Sequence, residues 1–408
     1  MKLDQYEKEM LGGGHGAGKR RCMELLVRFG EAMGADRMVP IRSAHTMPKE
    51  PLELLQDLTE GVERLGAFTT IHPTMSAFSL RNWEQMGISP DFAAKELSAH
   101  ERRQQIYRRA GFYETYTCLP ILAGNLARPR ESVSWIGSSL QLLTNSILGA
   151  RTNRDGTVVN LASAIAGRAP DYGFHKDENR KAQVQVELKA LDVERMGSAD
   201  LGAITYWLGP KIGSRNVVFS KLPDLNLDRL RYFLPPLAVT GSVGICHIVG
   251  VTPEATSLEQ ALGNRPPEEM ITVGPDQIEE ARSLYARGNR EVELTIFGCP
   301  HCTITELGLI ARLVTGRRLA PGKRLWIGTG HQTYVLALQM GFAKTIEEAG
   351  GVFASACMSA IPEPPIPTSV KLAATNSFKA AHYISRLSKG SVAMWVADLK
   401  ECLEAVLD

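Results

Sequence analysis

The chain has no apolar run of 18 or more residues, so hydropathy gives it no membrane-spanning helix. It has little net charge. Lys and Arg number 46 against 44 Asp and Glu, and the resulting +2 gives no reason to expect nucleic acid or a polybasic membrane anchor. Seven cysteines, an odd number spread over 408 residues, do not form the disulfide framework of a small secreted protein. Internal repeats and low-complexity tracts are missing, and the opening Met-Lys-Leu-Asp-Gln-Tyr-Glu-Lys is not a signal peptide. What remains is the composition of a globular enzyme with a sizeable core, two or three lobes and an expected cytoplasmic setting.

Short apolar runs alternate with amphipathic helical stretches, the pattern of a parallel-sheet α/β protein. Strands are predicted at 38–41, 67–71, 292–297, 324–328 and 351–355. Helices are predicted at 2–10, 19–33, 51–65, 91–110, 304–315, 331–349 and 391–406. The glycine-rich 12–20 imitates a phosphate-binding loop. It fails because Arg20 replaces the magnesium-holding hydroxyl and no buried strand precedes it, so a helix-to-helix turn is expected. Residues 253–290, rich in Pro, Glu and Arg, are read as a surface excursion that contains a lobe boundary. Glu363-Pro364-Pro365-Ile366-Pro367 reads as a stiff linker.

The strand ending in Phe297 leads to Gly298-Cys299-Pro300-His301-Cys302. Its C-x-x-C pair is open to several readings. A redox pair would need a thioredoxin-like fold, a structural zinc site a second such pair, and an iron–sulfur site distant thiolates; a buried thiol without a role is the bland alternative. Cys118 and Cys357 occupy comparable places. Arg151 and Arg154, three apart with Thr152 and Asn153 between them and Asn145 upstream, suit capture of a carboxylate or phosphate, or are charges on a solvated turn. Asn376, Ser377 and Lys379 either cap a helix or present amide, hydroxyl and ammonium groups to an anion. His175 and residues 176–180 read equally as a helix start.

Together these segments occur in one order: Cys118 in Thr-Cys-Leu-Pro, 145–156, Tyr172-Gly173-Phe174-His175, 249–254, 298–301 and Thr375-Asn376-Ser377. That order, extended by Ser43-Ala44-His45 and Ala380-Ala381-His382-Tyr383, resembles the large catalytic subunit of the aconitase X family. The resemblance implies an aconitase-like, multi-lobed three-layer α/β/α fold with mainly parallel sheets. It implies a hydro-lyase that removes water from a small hydroxy acid, such as cis-3-hydroxy-L-proline or a related hydroxy or amino acid. Dehydration of a phosphorylated acid such as mevalonate 5-phosphate, or a degenerate homologue without turnover, are the alternatives. It also implies Cys118, Cys299 and Cys357 as ligands of an iron–sulfur cluster, [2Fe-2S] in first place, with other nuclearities or a mononuclear iron as alternatives. Ser43, His45 and Lys379 become catalytic candidates; Ser138, Ser139, Asn145, Arg151, Asn153, Arg154, Asn376 and Ser377 become substrate-binding candidates. A separate small swivelling-domain subunit is the implied partner, since the chain as given does not include that domain.

The sequence departs from the family pattern in five places. Gly137 stands where an acid is expected, and His72-Pro73-Thr74-Met75-Ser76 replaces Asn-Pro-Ala-Gly. Thr329-Gly330-His331 replaces Thr-Ser-Arg, Ser355-Ala356-Cys357 replaces Asp-Thr-Cys, and Phe378 replaces a glycine. The chain reads as a divergent member. Cys22, Cys246 and Cys402 are expected to be structural.

Overall fold

The computed structural model describes residues 1–73, 82–359 and 366–408. Positions 74–76 of the His72 segment and 363–365 of the proline linker lie outside them.

The apolar quartet Leu294–Phe297 forms the central strand of a five-stranded parallel sheet, buried along its whole length. On one side it pairs with Arg324–Gly328 and then Gly351–Ala354; on the other it pairs with Leu372–Thr375 and then Ala393–Val396. The chain therefore runs outward in one direction, returns to the middle and runs outward in the other. The sheet's switch point lies between Leu294–Phe297 and Leu372–Thr375, and such sheets hold ligands just beyond the carboxyl ends of their strands there. Cys299 and Asn376-Ser377-Phe378-Lys379 follow those two ends.

There are two smaller parallel sheets among the described residues. Phe68–Ile71, Ser43–Thr46 and Ser134–Trp135 form the first; Cys246–Ile248, Val217–Phe219, Val184–Leu188 and Glu269–Val273 form the second. A two-stranded antiparallel ribbon joins Met38–Pro40 to Arg168–Pro170. The fold is thus α/β with mainly parallel sheets, as expected. The largest hydrophobic core runs from the strand Val184–Leu188 through the helices Ser198–Ile212 and Leu227–Thr240 to the helix Phe378–Leu387. Phe378 fits there because Gly202 faces it: a Cβ on that glycine would come 3.1 Å from its ring.

The glycine-rich segment connects the helices Gln5–Leu11 and Ala17–Ala32. Gly18 sits where a Cβ would meet the Leu58 carbonyl at 2.6 Å, so a close backbone approach explains that glycine. Three expectations need correction. The helix read at 51–65 is Leu52–Leu58 only, with turns beyond it. The helix read at 331–349 is two helices, His331–Gln339 and Phe342–Glu348, broken at Gly341 with φ +76°. The helix read at 391–406 is the edge strand Ala393–Val396 followed by the helix Leu399–Glu404. Met394 and Val396 are buried while Ala393 and Trp395 are less so, a period-two burial that belongs to a strand. Within 253–290 lie the helix Leu258–Leu262, the edge strand Glu269–Val273 and the helix Pro275–Ser283.

Candidate active site

Three segments deliver three thiols to the switch point. Residues 113–117 run beside the strand Phe68–Ile71, with the Thr117 amide donating to the Ile71 carbonyl at 3.2 Å, and they end in Cys118. Gly298 turns the central strand into Cys299. Its φ is +100°, and a Cβ there would stand 2.1 Å from the Gly328 carbonyl oxygen, so only glycine fits between the two strand ends. Cys357 follows the strand Gly351–Ala354. The His301 amide donates to Cys118 Sγ at 3.1 Å, and Ser359 Oγ lies 3.3 Å from Cys357 Sγ and bonds Cys299 as well. Burial pushes the Cys118 thiol up to about 12, against the pull of Lys379 and the His301 N–H, while Cys299 and Cys357 push it further. The three thiols are therefore near enough to sense one another. Among the described residues, no three His, Cys, Asp or Glu side chains are grouped closely enough to hold one metal ion.

Lys379 sits in the first turn of the helix Phe378–Leu387 and donates to Ser139 Oγ at 2.7 Å. Burial works against its charge, yet Cys299, Cys118, Tyr383 and Cys357 outweigh it and hold its pKa above the usual 10.5. Lys379, Ser139, His72, Cys118 and Pro300 line one cleft, whose other wall is Leu140, Leu143 and Leu234. Polar groups converge there against an apolar wall, but the cleft as it stands is about 20 Å³, room for about one water, so a substrate enters only if its walls part.

His45 and His72 stack edge to face beside it, ring centroids 5.6 Å apart. Thr70 Oγ1 accepts from the Asn125 amide at 2.9 Å and lies 2.8 Å from His45 Nδ1, which fixes the ring's position. Burial holds His45 down to about 3, and His175 and His301 down to about 4; it also lowers His72 well below 6.5. All four stay neutral in the fold, whereas the unfolded chain takes up their protons below 6.5. Their contribution is whole above that pH and is lost as pH falls toward the folded values, at about 1.4 kcal/mol per unit for each histidine. Buffer-matched thermal melts should show the midpoint falling steadily from pH 7 to pH 5; a flat midpoint would contradict the neutral assignment.

The other candidates fall into two groups. Ser139 and Lys379 meet in the cleft, and Ser138 opens the helix Ser138–Ser146 next to them. Ser43 accepts from Trp135 Nε1 at 2.9 Å. Ser377 caps its helix and donates to the Cys299 carbonyl, which fixes the cysteine loop. The remaining residues hold backbone. Asn145 donates to the Thr152 and Gly244 carbonyls at 3.0 and 2.9 Å, and Asn153 joins Tyr172 to Phe174. Arg151 donates to the His175 carbonyl and to Asp177 and opens onto a different cleft, while Arg154 donates to the Ala238 carbonyl at 3.0 Å. Cys302 engages Glu306 and also senses Cys118. Cys22, Cys246 and Cys402 are free and fully buried.

Sequence reasoning missed the support beneath the cysteine loop. Arg231, 1% exposed, donates to the Pro300 and His301 carbonyls at 3.1 and 3.3 Å and pairs with Glu306. Glu306 also accepts from Tyr232 and, at 3.0 Å, from Asn376. A signal was present: Arg231 is an arginine amid Leu230, Tyr232, Phe233 and Leu234, where a charge is out of place unless paired. Gly137 has φ +108°, and a Cβ there would face His72 Nε2 at 3.7 Å, so an acid at that position would have met the histidine.

Three family models match nearly the whole chain: aconitase X first domain over residues 1–178, second domain over 182–283 and third domain over 292–408. The phosphomevalonate dehydratase large subunit of Methanocaldococcus jannaschii is 33% identical over 99% of this chain and 100% of its own length. The cis-3-hydroxy-L-proline dehydratase of Pseudomonas aeruginosa is 32% identical over 100% of this chain and 70% of its own. The crystal structure of Thermococcus kodakaraensis aconitase X in its holo-form matches with a TM-score of 0.85 and 30% identity, covering 100% of both chains. Both named relatives are dehydratases, and the chain is a lyase of their kind. It belongs to the aconitase X family.

Proposed function

We propose that the chain is the catalytic large subunit of an iron–sulfur-dependent hydro-lyase acting in the cytoplasm on a small hydroxy acid, cis-3-hydroxy-L-proline or a related hydroxy or amino acid. The observation that carries this reading is the convergence of Cys118, Cys299 and Cys357 around the Lys379 ammonium at the sheet's switch point.

The donor set fits an iron–sulfur group. The thiols are unbridged, Cys118 and Cys357 are partly open, and a cation and a backbone N–H stand ready to offset thiolate charge. Cys118, Cys299 and Cys357 would hold it, and when bound it supplies a Lewis-acidic iron for the leaving hydroxyl. Lys379, steadied by Ser139, binds and orients the substrate carboxylate. His45, held neutral by burial, packs against His72 without adding charge beside the cleft. Leu140, Leu143 and Leu234 keep water from the apolar side, and Arg231 and Ser377 hold the cysteine loop in place.

A small swivelling-domain subunit would complete the enzyme, in keeping with relatives named as large subunits. A lobe boundary within 253–290 belongs to the same proposal. Dehydration of a phosphorylated acid such as mevalonate 5-phosphate is the second reading, supported by the end-to-end match to a phosphomevalonate dehydratase large subunit. The charge in the cleft favours the first. Among the described lining residues the cations are Lys379 and Arg231, and Arg231 is already paired with Glu306.

The test is iron and acid-labile sulfide content after anaerobic purification with a co-expressed small subunit. Near-stoichiometric iron and sulfide, together with dehydration of cis-3-hydroxy-L-proline or a close analogue, is the expected result. Absence of both after anaerobic reconstitution would overturn the iron–sulfur reading.

A further inference from the structure

The helix His331–Gln339 contains no Lys, Arg, Asp or Glu. Its buried side is Thr333 and Ala337, one turn apart. Val335, Leu336 and Leu338, with Met340 just past its end, are between 42% and 53% exposed. A helix on a protein's surface ordinarily turns charged and polar residues outward, so an outward face this apolar marks an interface.

The face is fixed beside the cysteine centre. A Cβ on Gly330, which precedes the helix, would stand 2.9 Å from the Cβ of Thr117, the neighbour of Cys118. Tyr116 packs edge to face on His331 with ring centroids 5.9 Å apart. The helix also lies against the turn Pro120–Ala123, which follows Leu119 of the Lys379–Ser139 cleft. Leu122 in that turn is 41% exposed, and the turn is anchored from within. The Asn125 backbone N–H donates to the Pro120 carbonyl at 3.0 Å, and its side chain donates to the Ala44 carbonyl at 3.0 Å. Apolar groups held outward on a fixed scaffold lose little freedom on association.

The face also straddles the cleft. Leu122, Cys118 and Leu119 belong to the first family segment; the helix, Pro300 and Lys379 belong to the third. A cleft of about 20 Å³ admits a substrate only when its walls part, and a body seated on both segments is placed to set their separation.

We propose that this face docks the small swivelling-domain subunit through an apolar, uncharged contact. The inference rests on the two-subunit dehydratase reading above and adds where the partner sits. The relatives supply the occupant. One that this chain matches over 100% of its length is named a large subunit, while the Pseudomonas aeruginosa hydroxyproline dehydratase, covered over 70%, continues beyond the match in a single chain. The subunit's docking surface is then itself apolar and poor in charge, as the cores of lasting interfaces are.

The test titrates the full chain with the separately purified small subunit of the same organism, followed by isothermal calorimetry. Val335→Asp and Leu122→Asp should each raise the Kd at least about thirtyfold, because each puts a carboxylate into an apolar contact. Leu284→Asp is the control: that residue is 65% exposed at the end of the helix Pro275–Ser283, and its Kd should match the parent's. All three sites face solvent, so the thermal midpoints of the isolated variants should coincide with the parent's. Equal Kd values throughout overturn the docking face and leave the dehydratase reading standing. Self-association of the chain that Val335→Asp dissolves, with the small subunit bound as tightly as before, gives the face to a second copy and overturns the proposal as well. No binding of the small subunit to the parent overturns both the docking face and the two-subunit reading.

Discussion

Replacing Arg231 by methionine should lower the free energy of unfolding by about 3–5 kcal/mol, the usual cost of leaving one partner of a buried ion pair behind. The loss has two sources. Glu306, 7% exposed, would keep its carboxylate in the interior with Tyr232, Asn376 and Cys302 as its remaining donors. The Pro300 and His301 carbonyls would also lose their donor, and those carbonyls shape the loop between Cys299 and Cys302. The pair joins the helix Leu227–Thr240 to the helix Ile304–Val314, so it also pins the second family segment to the third. Denaturant unfolding monitored by tryptophan fluorescence measures the effect. Arg231→Met/Glu306→Leu should cost less than the sum of the two single changes, because the double variant buries no lone charge. A single variant within about 1 kcal/mol of the parent would refute the buried-pair account, since that is the worth of an exposed pair.

Glu306 adds a pH signature to that experiment. Burial would raise its pKa, but Arg231, Tyr232, Cys302 and Asn376 outweigh burial and the folded value lies below 4.5. A carboxyl held low in the fold stabilises fully above its unfolded value and loses that contribution as pH falls toward the folded one. The gap in stability between the parent and Glu306→Gln should therefore be constant from pH 8 to pH 6 and shrink below about pH 4.5.

What was legible in the sequence is what local pattern encodes. The run ending in Phe297, followed by Gly298, announced a buried strand and a sharp turn, and both are present. Cys299 and Cys357 stood out because each follows a short apolar strand, and the chain order of the motifs, Cys118 included, matched one family. The partners of those motifs were not legible, because they are made across long separations. Lys379 meets Ser139 from 240 residues away, and Arg231 meets Glu306 from 75. The bonds of Arg151 and Arg154 were hidden for the same reason: nothing local shows that the His175 and Ala238 carbonyls engage them. The strand Ala393–Val396 was hidden by brevity: four residues of alternating burial inside a longer apolar stretch also satisfy a helical reading.

Cys118→Ser, Cys299→Ser and Cys357→Ser should each bring iron and sulfide content to background, whereas Cys22→Ser and Cys402→Ser should retain them. A thiolate is a far softer donor than an alkoxide, and with three protein sulfurs in the set no spare ligand replaces a lost one. Cys302 already engages Glu306, so recruiting it as a substitute ligand would cost that contact. Cys22 and Cys402 serve as controls because their thiols only touch carbonyls, Leu58 at 3.7 Å and Ala397 at 3.4 Å, inside other parts of the core. Ser359→Ala lies between these extremes. Its hydroxyl touches Cys357 at 3.3 Å and bonds Cys299 without joining the donor set, so its loss should weaken iron retention by about 10–100-fold, as the loss of ligand-supporting hydrogen bonds does elsewhere. Chelator competition followed by visible absorption separates the three classes. Equal iron in all six variants would sink the ligand assignment. Loss of iron in Cys22→Ser as severe as in Cys299→Ser would show that the measurement reports folding, and circular dichroism on the same samples would reveal it.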